Sequence, residues 1–178
     1  MIKILFVCLG NICRSPMVEF VMKDLLEKEG LSDRVLVDSA GTSAEEYGNP
    51  VYPPARRILA EHGISCAGKY ARRMTSEDYK KFDMLICMEE MNVRSMRRYV
   101  KGDPEGKISL LMDYTNRPGN VADPYYSGDF RATWRDVWDG CCGLLNYLKK
   151  NLCTQRNRQV PSFRLVRLKA GENKSRAV

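Results

Sequence analysis

Residues 4–16, Ile4-Leu5-Phe6-Val7-Cys8-Leu9-Gly10-Asn11-Ile12-Cys13-Arg14-Ser15-Pro16, decide the fold of this chain. Four apolar residues, rich in β-branched and aromatic side chains, lead to Cys8 and predict a buried strand. Pro16 fits the first position of a helix, and Ser15 fits its N-cap. The stretch therefore predicts a strand that ends at Cys8, a short loop, and a helix that begins just after Arg14.

The loop between this strand and this helix has the composition of an oxyanion site. Backbone N–H groups at a helix N-terminus attract anions, and Gly10 and Asn11 tolerate the positive φ that a tight anion-binding loop needs. The reactive form of Cys8 is its thiolate, which a helix N-terminus and a nearby arginine stabilise. The planar guanidinium of Arg14 matches two oxygens of a phosphate, and Ser15 can donate a hydrogen bond to the sulfur. We therefore expect a phosphate site beside a nucleophilic thiol.

Length and cysteine content indicate a single domain in a reducing compartment. The 178 residues suit one compact core. The seven cysteines lack the spacing of a disulfide framework, and the single histidine and absence of a CxxC motif give no zinc site. No apolar stretch is long enough to span a membrane, and no signal peptide precedes the first strand, so the expected location is cytoplasmic.

The net charge of +7 is concentrated at the end of the chain. Residues 154–178 contain seven Lys or Arg and one acidic residue, so the rest of the chain is nearly neutral. This distribution argues against nucleic acid as a partner. It predicts a domain over residues 1–153 and a basic C-terminal extension over 154–178, with disorder expected at 169–178.

Helix and strand patterns alternate along the rest of the domain. Polar residues separate short apolar strands from amphipathic helices, which is typical of a three-layer α/β/α fold with a four-stranded parallel sheet. The segment 39–43 is expected to leave its strand as a loop beside Cys8. After the first strand, the predicted elements are helix 17–29, strand 34–38, helix 53–62, strand 82–88, helix 89–99, strand 108–111 and helix 129–151.

The loop Cys8–Ser15 resembles the phosphate-binding loop of the low-molecular-weight protein tyrosine phosphatases. That family places a cysteine, five residues, an arginine and then Ser or Thr close to the N-terminus, and the resemblance covers roughly residues 1–152. It implies hydrolysis of phosphotyrosine through a cysteinyl-phosphate intermediate, with a phosphotyrosine protein as substrate and phosphate or other oxyanions as ligands. No metal or cofactor is implied, because the loop and Arg14 supply the positive charge. The implied substrate-binding residues of the loop are Leu9, Gly10, Asn11, Ile12, Cys13 and Ser15.

A general acid is expected on a separate loop, at Asp123. Pro124 restricts the backbone of Asp123 to an extended form. The run Asp-Pro-Tyr-Tyr before the last helix resembles the general-acid loop of the same family. The resemblance implies that Asp123 protonates the leaving phenolate and later activates water, while Tyr125 and Tyr126 form the walls of a slot for the substrate ring.

Five residues match supporting positions of that family. Asn11, Ser39 and His62 match a hydrogen-bonded brace behind the phosphate loop. Cys13 matches a position whose thiol can form a reversible disulfide with the nucleophile, although a small buried filler is an equally good interpretation. Glu89 is expected close to the site entrance or just behind the site.

Three other functions fit the sequence less well than phosphotyrosine hydrolysis. A phosphoarginine phosphatase on this scaffold would carry Thr in place of Ile12, whereas Leu9 and Ile12 give apolar walls that suit a phenyl ring. An arsenate reductase needs two cysteines in one flexible segment, but Cys66 and Cys87 are far apart. An anion-binding module without activity would lack the nucleophile or the acid, and neither is missing. Phosphotyrosine hydrolysis is therefore the favoured function.

Overall fold

The computed structural model describes residues 1–155, with side chains through Cys153. Four strands form one parallel sheet in the order β2-β1-β3-β4. The predicted three-layer fold is confirmed, because helices cover both faces of this sheet. The strands are β1 (Ile2–Cys8), β2 (Val35–Gly41), β3 (Met84–Cys87) and β4 (Ile108–Leu110). The helices are α1 (Arg14–Lys28), α2 (Pro53–Glu61), α3 (Ser76–Lys81), α4 (Glu90–Tyr99), α5 (Pro124–Ser127) and α6 (Phe130–Gln155), with a 3₁₀ turn at Leu111–Tyr114.

Strand β1 is apolar apart from Lys3 near its start, because both of its faces are covered. Ile4 and Phe6 pack into the core formed with α1, α2 and α6. Leu5 and Val7 point to the other face and pack against α3 and α4. All four side chains are fully buried, which is usual for the central strand of a parallel sheet. Cys8 therefore lies at the end of a strand that is covered on both faces.

Two boundaries around the phosphate loop differ from the prediction. Helix α1 begins at Arg14, with Cys13 at its N-cap, so Ser15 is a residue of the first turn and not the cap. Strand β2 continues through Gly41, because Ser39 pairs with Phe6 and Gly41 with Cys8 across the sheet. Ser39 is thus held by strand pairing and not by the predicted loop.

The far end of the chain also differs from the prediction. Helix α6 continues through Gln155, two residues past the predicted end of the domain. The predicted basic extension spans residues 154–178. Of these, residues 156–178 lie outside the described residues. Within residues 1–155, no helix combines the length and the apolar composition that crossing a membrane requires.

Candidate active site

The phosphate loop curls around the sulfur of Cys8. Asn11 has a φ of +60°, and its backbone N–H lies 3.2 Å from the Cys8 Sγ. The Ser15 Oγ is 2.9 Å from the same sulfur, because the first turn of α1 directs that hydroxyl back toward β1. Gly10 does not adopt the predicted positive φ. Its small size matters instead, because a Cβ at this position would lie 3.0 Å from the Cγ of Glu46 and crowd that side chain.

Gly41 supports the loop from beneath. A Cβ on Gly41 would lie 2.6 Å from the carbonyl oxygen of Leu9 and 3.1 Å from the carbonyl carbon of Gly10. The backbone of β2 can therefore approach the loop only because this residue has no side chain. Strand β2 forms the floor on which the phosphate loop rests.

Arg14 joins the phosphate loop to two carboxylates from other parts of the chain. Its Nη2 lies 2.6 Å from the Asp123 Oδ2 and 3.0 Å from the Glu89 Oε1. Burial alone would lower the pKa of Arg14, but the Cys8 thiolate, Glu89 and Asp123 outweigh burial and raise it above its usual value. Among the described residues, the buried Nη1 has no hydrogen-bond partner, so this donor is available to an oxyanion.

Asp123 reaches this arginine from the start of a short helix. It is the N-cap of α5, and its Oδ1 accepts a hydrogen bond from the Tyr125 N–H at 3.0 Å. Sequence reasoning predicted an extended loop here and missed the four residues of α5, which are too few to show a helical period. Tyr125 and Tyr126 are more than four-fifths exposed and meet edge to face beside the acid, with ring centroids 5.2 Å apart.

Glu89 is held against Arg14 by the helix that follows it. Its Oε1 accepts a hydrogen bond from the Asn92 Nδ2 at 3.1 Å. The carboxylate is partly buried and contacts the guanidinium directly. The structure thus places Glu89 beside Arg14, close to the candidate site, as expected from the sequence.

A chain of buried hydrogen bonds holds the phosphate loop from behind. The Asn11 Nδ2 donates to the Ser15 Oγ at 2.9 Å and to the Ser39 Oγ at 2.8 Å. Ser39 in turn donates to the Glu19 Oε2 at 2.6 Å, and the Lys69 Nζ pairs with the same oxygen at 2.6 Å. This brace, made of Asn11, Ser15, Ser39, Glu19 and Lys69, connects the sulfur to β2 and to the segment after α2.

His62 is not part of the brace, which corrects the expectation from the sequence. It lies at the exposed end of α2, where its Nδ1 is 2.8 Å from the Ile58 carbonyl oxygen. Its ring stacks on Trp134, with ring centroids 3.7 Å apart. Lys69 is part of the brace where His62 was expected, because its long side chain brings the ammonium group to the buried Glu19 carboxylate.

Sequence reasoning missed Glu19 and Lys69. Glu19 lies on α1 between Val18 and Val21, and all three are buried. An acidic residue within an apolar stripe needs a partner, and this was the available signal. Lys69 gave no such signal, because its segment has no periodic pattern and its contacts come from distant parts of the chain.

The remaining loop residues differ in environment. Leu9 is exposed and Ile12 half-buried, so both remain available to contact a substrate. Burial, and then the charges of Cys8 and Asp123, raise the pKa of Cys13 to about 12, so this residue is a neutral thiol near pH 7. Cys87 is fully buried within β3, and burial raises its pKa. A disulfide relay that starts at Cys87 would thus begin from an inaccessible thiol.

Glu19→Gln is expected to destabilise the fold by about 2 kcal/mol and to lower turnover several-fold. The substitution removes the buried carboxylate that joins Ser39 to Lys69, so Asn11 is held less firmly. Urea unfolding monitored by circular dichroism measures the stability. Asp24→Asn is the matched control: it breaks a pair with Lys28 on the exposed side of α1, which contributes less than about 0.5 kcal/mol. Equal losses in both variants would contradict a structural role for the brace.

The chain is similar to known proteins over most of its length. The family model "Low molecular weight phosphotyrosine protein phosphatase" matches residues 3–155. The chain is 40% identical over 152 residues to the low molecular weight protein-tyrosine-phosphatase YfkJ of Bacillus subtilis, covering 84% of this chain and 97% of that protein. It is 42% identical over 149 residues to the low molecular weight phosphotyrosine protein phosphatase of Rattus norvegicus, covering 80% and 93%.

Solved structures show the same relationship. The crystal structure of YfkJ from Bacillus subtilis superposes with a TM-score of 0.82 at 39% identity, covering 85% of this chain and 96% of that one. The structure of a drosophila arginine phosphatase superposes with a TM-score of 0.75 at 31% identity, covering 83% and 98%. Fold and matches together define a phosphatase, which is a hydrolase. The chain belongs to the low molecular weight phosphotyrosine protein phosphatase family.

Proposed function

We propose that Cys8 is the nucleophile, Arg14 the phosphate clamp and Asp123 the general acid and base of phosphotyrosine hydrolysis. The observation that carries the proposal is the convergence of the sulfur-bearing loop and the Asp123 carboxylate on Arg14. The nucleophile and the acid come from distant parts of the chain, yet both lie at the guanidinium that would bind the phosphoryl group. Hydrolysis of an aryl phosphate requires these three functions together.

The first step transfers the phosphoryl group to sulfur. The Cys8 thiolate attacks phosphorus, a phosphorus–sulfur bond forms, and the bond from phosphorus to the phenolic oxygen breaks. Asp123, protonated in the substrate complex, gives its proton to that oxygen. Arg14 and the loop N–H groups bind the three other phosphate oxygens. No metal or cofactor takes part in this proposal, since the guanidinium and the amides stabilise the transferred charge.

The second step releases phosphate. Asp123, now a carboxylate, accepts a proton from a water molecule whose oxygen attacks phosphorus. The phosphorus–sulfur bond breaks and the thiolate re-forms. The Ser15 hydroxyl and the Asn11 N–H, which contact the sulfur in the free protein, stabilise the leaving thiolate.

The substrate we propose is phosphotyrosine in a cytoplasmic protein, and not nucleic acid. The apolar side chains of Leu9 and Ile12 on the loop and the exposed pair Tyr125 and Tyr126 beside Asp123 suit a flat aromatic ring. Phosphate and other oxyanions are proposed to bind the loop as inhibitors. A role for Cys13 as a reversible disulfide partner remains a prediction.

Phosphotyrosine is expected to be hydrolysed at least about tenfold faster than phosphoarginine, because an apolar wall favours a phenyl ring over a guanidinium. The measurement is kcat/KM on two peptides of the same sequence that differ only in the phosphorylated residue. Ile12→Thr makes the wall polar and should move the ratio toward phosphoarginine, as the resemblance implies. Faster turnover of phosphoarginine by the unaltered protein would contradict the proposed substrate.

A further inference from the structure

A cavity of about 470 Å³ lies between α2 and the segment that follows it. Its size is within the range of small-molecule sites. Cys8, Arg14 and Asp123 are not among its lining residues, so the cavity is separate from the active site. Its walls are mostly small and apolar, formed by Pro50, Val51, Ala60, Ile64, Cys66 and Ala67.

The charges around this cavity are all positive. Arg56 and Lys69 line it, and no acidic residue does. The Lys69 Nζ is paired with Glu19, at 2.6 Å, and with Asp38, at 3.1 Å. Arg56 is exposed, and no ion pair or side-chain hydrogen bond joins it to another residue of the described part of the chain. Its guanidinium is therefore free to pair with an anion seated against the apolar walls.

We propose that this cavity binds a small organic anion with a flat apolar body, and that its occupancy lowers the turnover of the phosphatase. The binding half of this proposal is independent of the proposed function, whereas the regulatory half rests on it. The positive charge of Arg56 attracts the anionic group of the ligand, and the apolar walls contact its apolar body.

Lys69 is the link between the cavity and the catalytic loop. This residue lines the cavity, and its Nζ contacts Glu19, Asp38 and the carbonyl oxygen of Ser39. An anion in the cavity competes with these oxygens for the ammonium group. Any shift of Lys69 toward the anion weakens the support of Glu19 and Ser39, and through Ser39 the support of Asn11.

Binding is tested by NMR with 2-naphthoate as the probe and the neutral 2-naphthamide as its matched control. Saturating inorganic phosphate occupies the catalytic loop, so that shifts of the Gly68 and Tyr70 amides report the cavity. We expect saturable shifts with naphthoate and at least fivefold weaker binding of the amide. Arg56→Gln should weaken naphthoate binding about fivefold, whereas Arg57→Gln, the same change on the neighbouring residue outside the cavity lining, should not. Absent shifts, or equal effects of both variants, would overturn the site.

Regulation is tested by steady-state kinetics with p-nitrophenyl phosphate, without added phosphate. Naphthoate should lower kcat, with half of the effect at the dissociation constant measured by NMR for the phosphate-free protein, and Arg56→Gln should shift both values together. A purely competitive pattern, or no effect on kcat at saturation, would overturn the coupling through Lys69. If the proposed function is wrong, turnover is absent even without naphthoate. That outcome differs from a failure of the coupling, in which turnover is present and naphthoate does not lower kcat.

Discussion

Cys8→Ser is expected to lower the turnover of p-nitrophenyl phosphate by at least about 10⁴-fold. The serine hydroxyl is a far weaker nucleophile than a thiolate at neutral pH, and neither the Asn11 N–H nor the Ser15 hydroxyl can remove its proton. The fold should survive, because the side chains have similar size and Cys8 ends a fully paired strand. The measurement is initial rate, with circular dichroism as the check on folding.

A second readout tests the covalent step directly. Rapid acid quench with radiolabelled substrate should trap a phosphorylated protein in the wild type and none in Cys8→Ser. Cys153→Ser is the matched control, because this exposed cysteine lies near the end of α6 and should leave both readouts unchanged. Activity retained in Cys8→Ser would end the proposed mechanism.

Asp123→Asn is expected to lower kcat/KM for a phosphotyrosine peptide, which reports the transfer of the phosphoryl group to Cys8, by about 10²- to 10⁴-fold, the usual contribution of a positioned general acid. The loss should be smaller for p-nitrophenyl phosphate, since p-nitrophenolate is a weaker base than the tyrosine phenolate and leaves with less help from a proton. Comparing kcat/KM for the two substrates in the variant separates acid catalysis from a general structural defect, because only the first step depends on the leaving group. An equal loss for both substrates would contradict the assigned role.

The same variant makes a prediction about phosphate binding. In the free protein the Asp123 Oδ2 forms an ion pair with the Arg14 Nη2 at 2.6 Å, so a phosphate must compete with this carboxylate for the guanidinium. Asp123→Asn removes the negative charge, and inhibition by inorganic phosphate should be as strong as in the wild type or stronger. Asp129→Asn is the matched control: this residue bonds the Ala132 N–H near the start of α6 and should affect neither kcat nor inhibition.

The parts of this site that the sequence predicted are those that depend on neighbours in the chain. The strand before Cys8, the tight loop with Asn11 at positive φ and the helix after it are all local, so a short stretch of residues suffices to predict them. The predicted start of α1 was wrong. Ser15 and Pro16 are typical helix-start residues, but α1 begins at Arg14 and both residues lie within its first turn.

The parts that the sequence did not predict depend on contacts between distant segments. Lys69 reaches Glu19 from fifty residues away, and no local pattern marks such a pair. His62 was placed in the brace by family resemblance, but the packing of α2 against α6 directs its ring onto Trp134. The extension of β2 to Gly41 comes from pairing with β1, which overrides the turn character of a Ser-Ala-Gly-Thr run.

The central position of β1 has a consequence for how the molecule opens locally. Its amides are bonded within the sheet and covered by two apolar layers, so hydrogen exchange at Phe6 and Val7 should require nearly global unfolding. Asp123 caps a four-residue helix with exposed side chains, where exchange should be fast. The segments that carry the proposed nucleophile, Cys8, and the proposed acid, Asp123, thus differ in local stability. We therefore expect Cys8, the proposed nucleophile, to stay in place while the protein is folded, and any motion on substrate entry to occur at Asp123, the proposed acid.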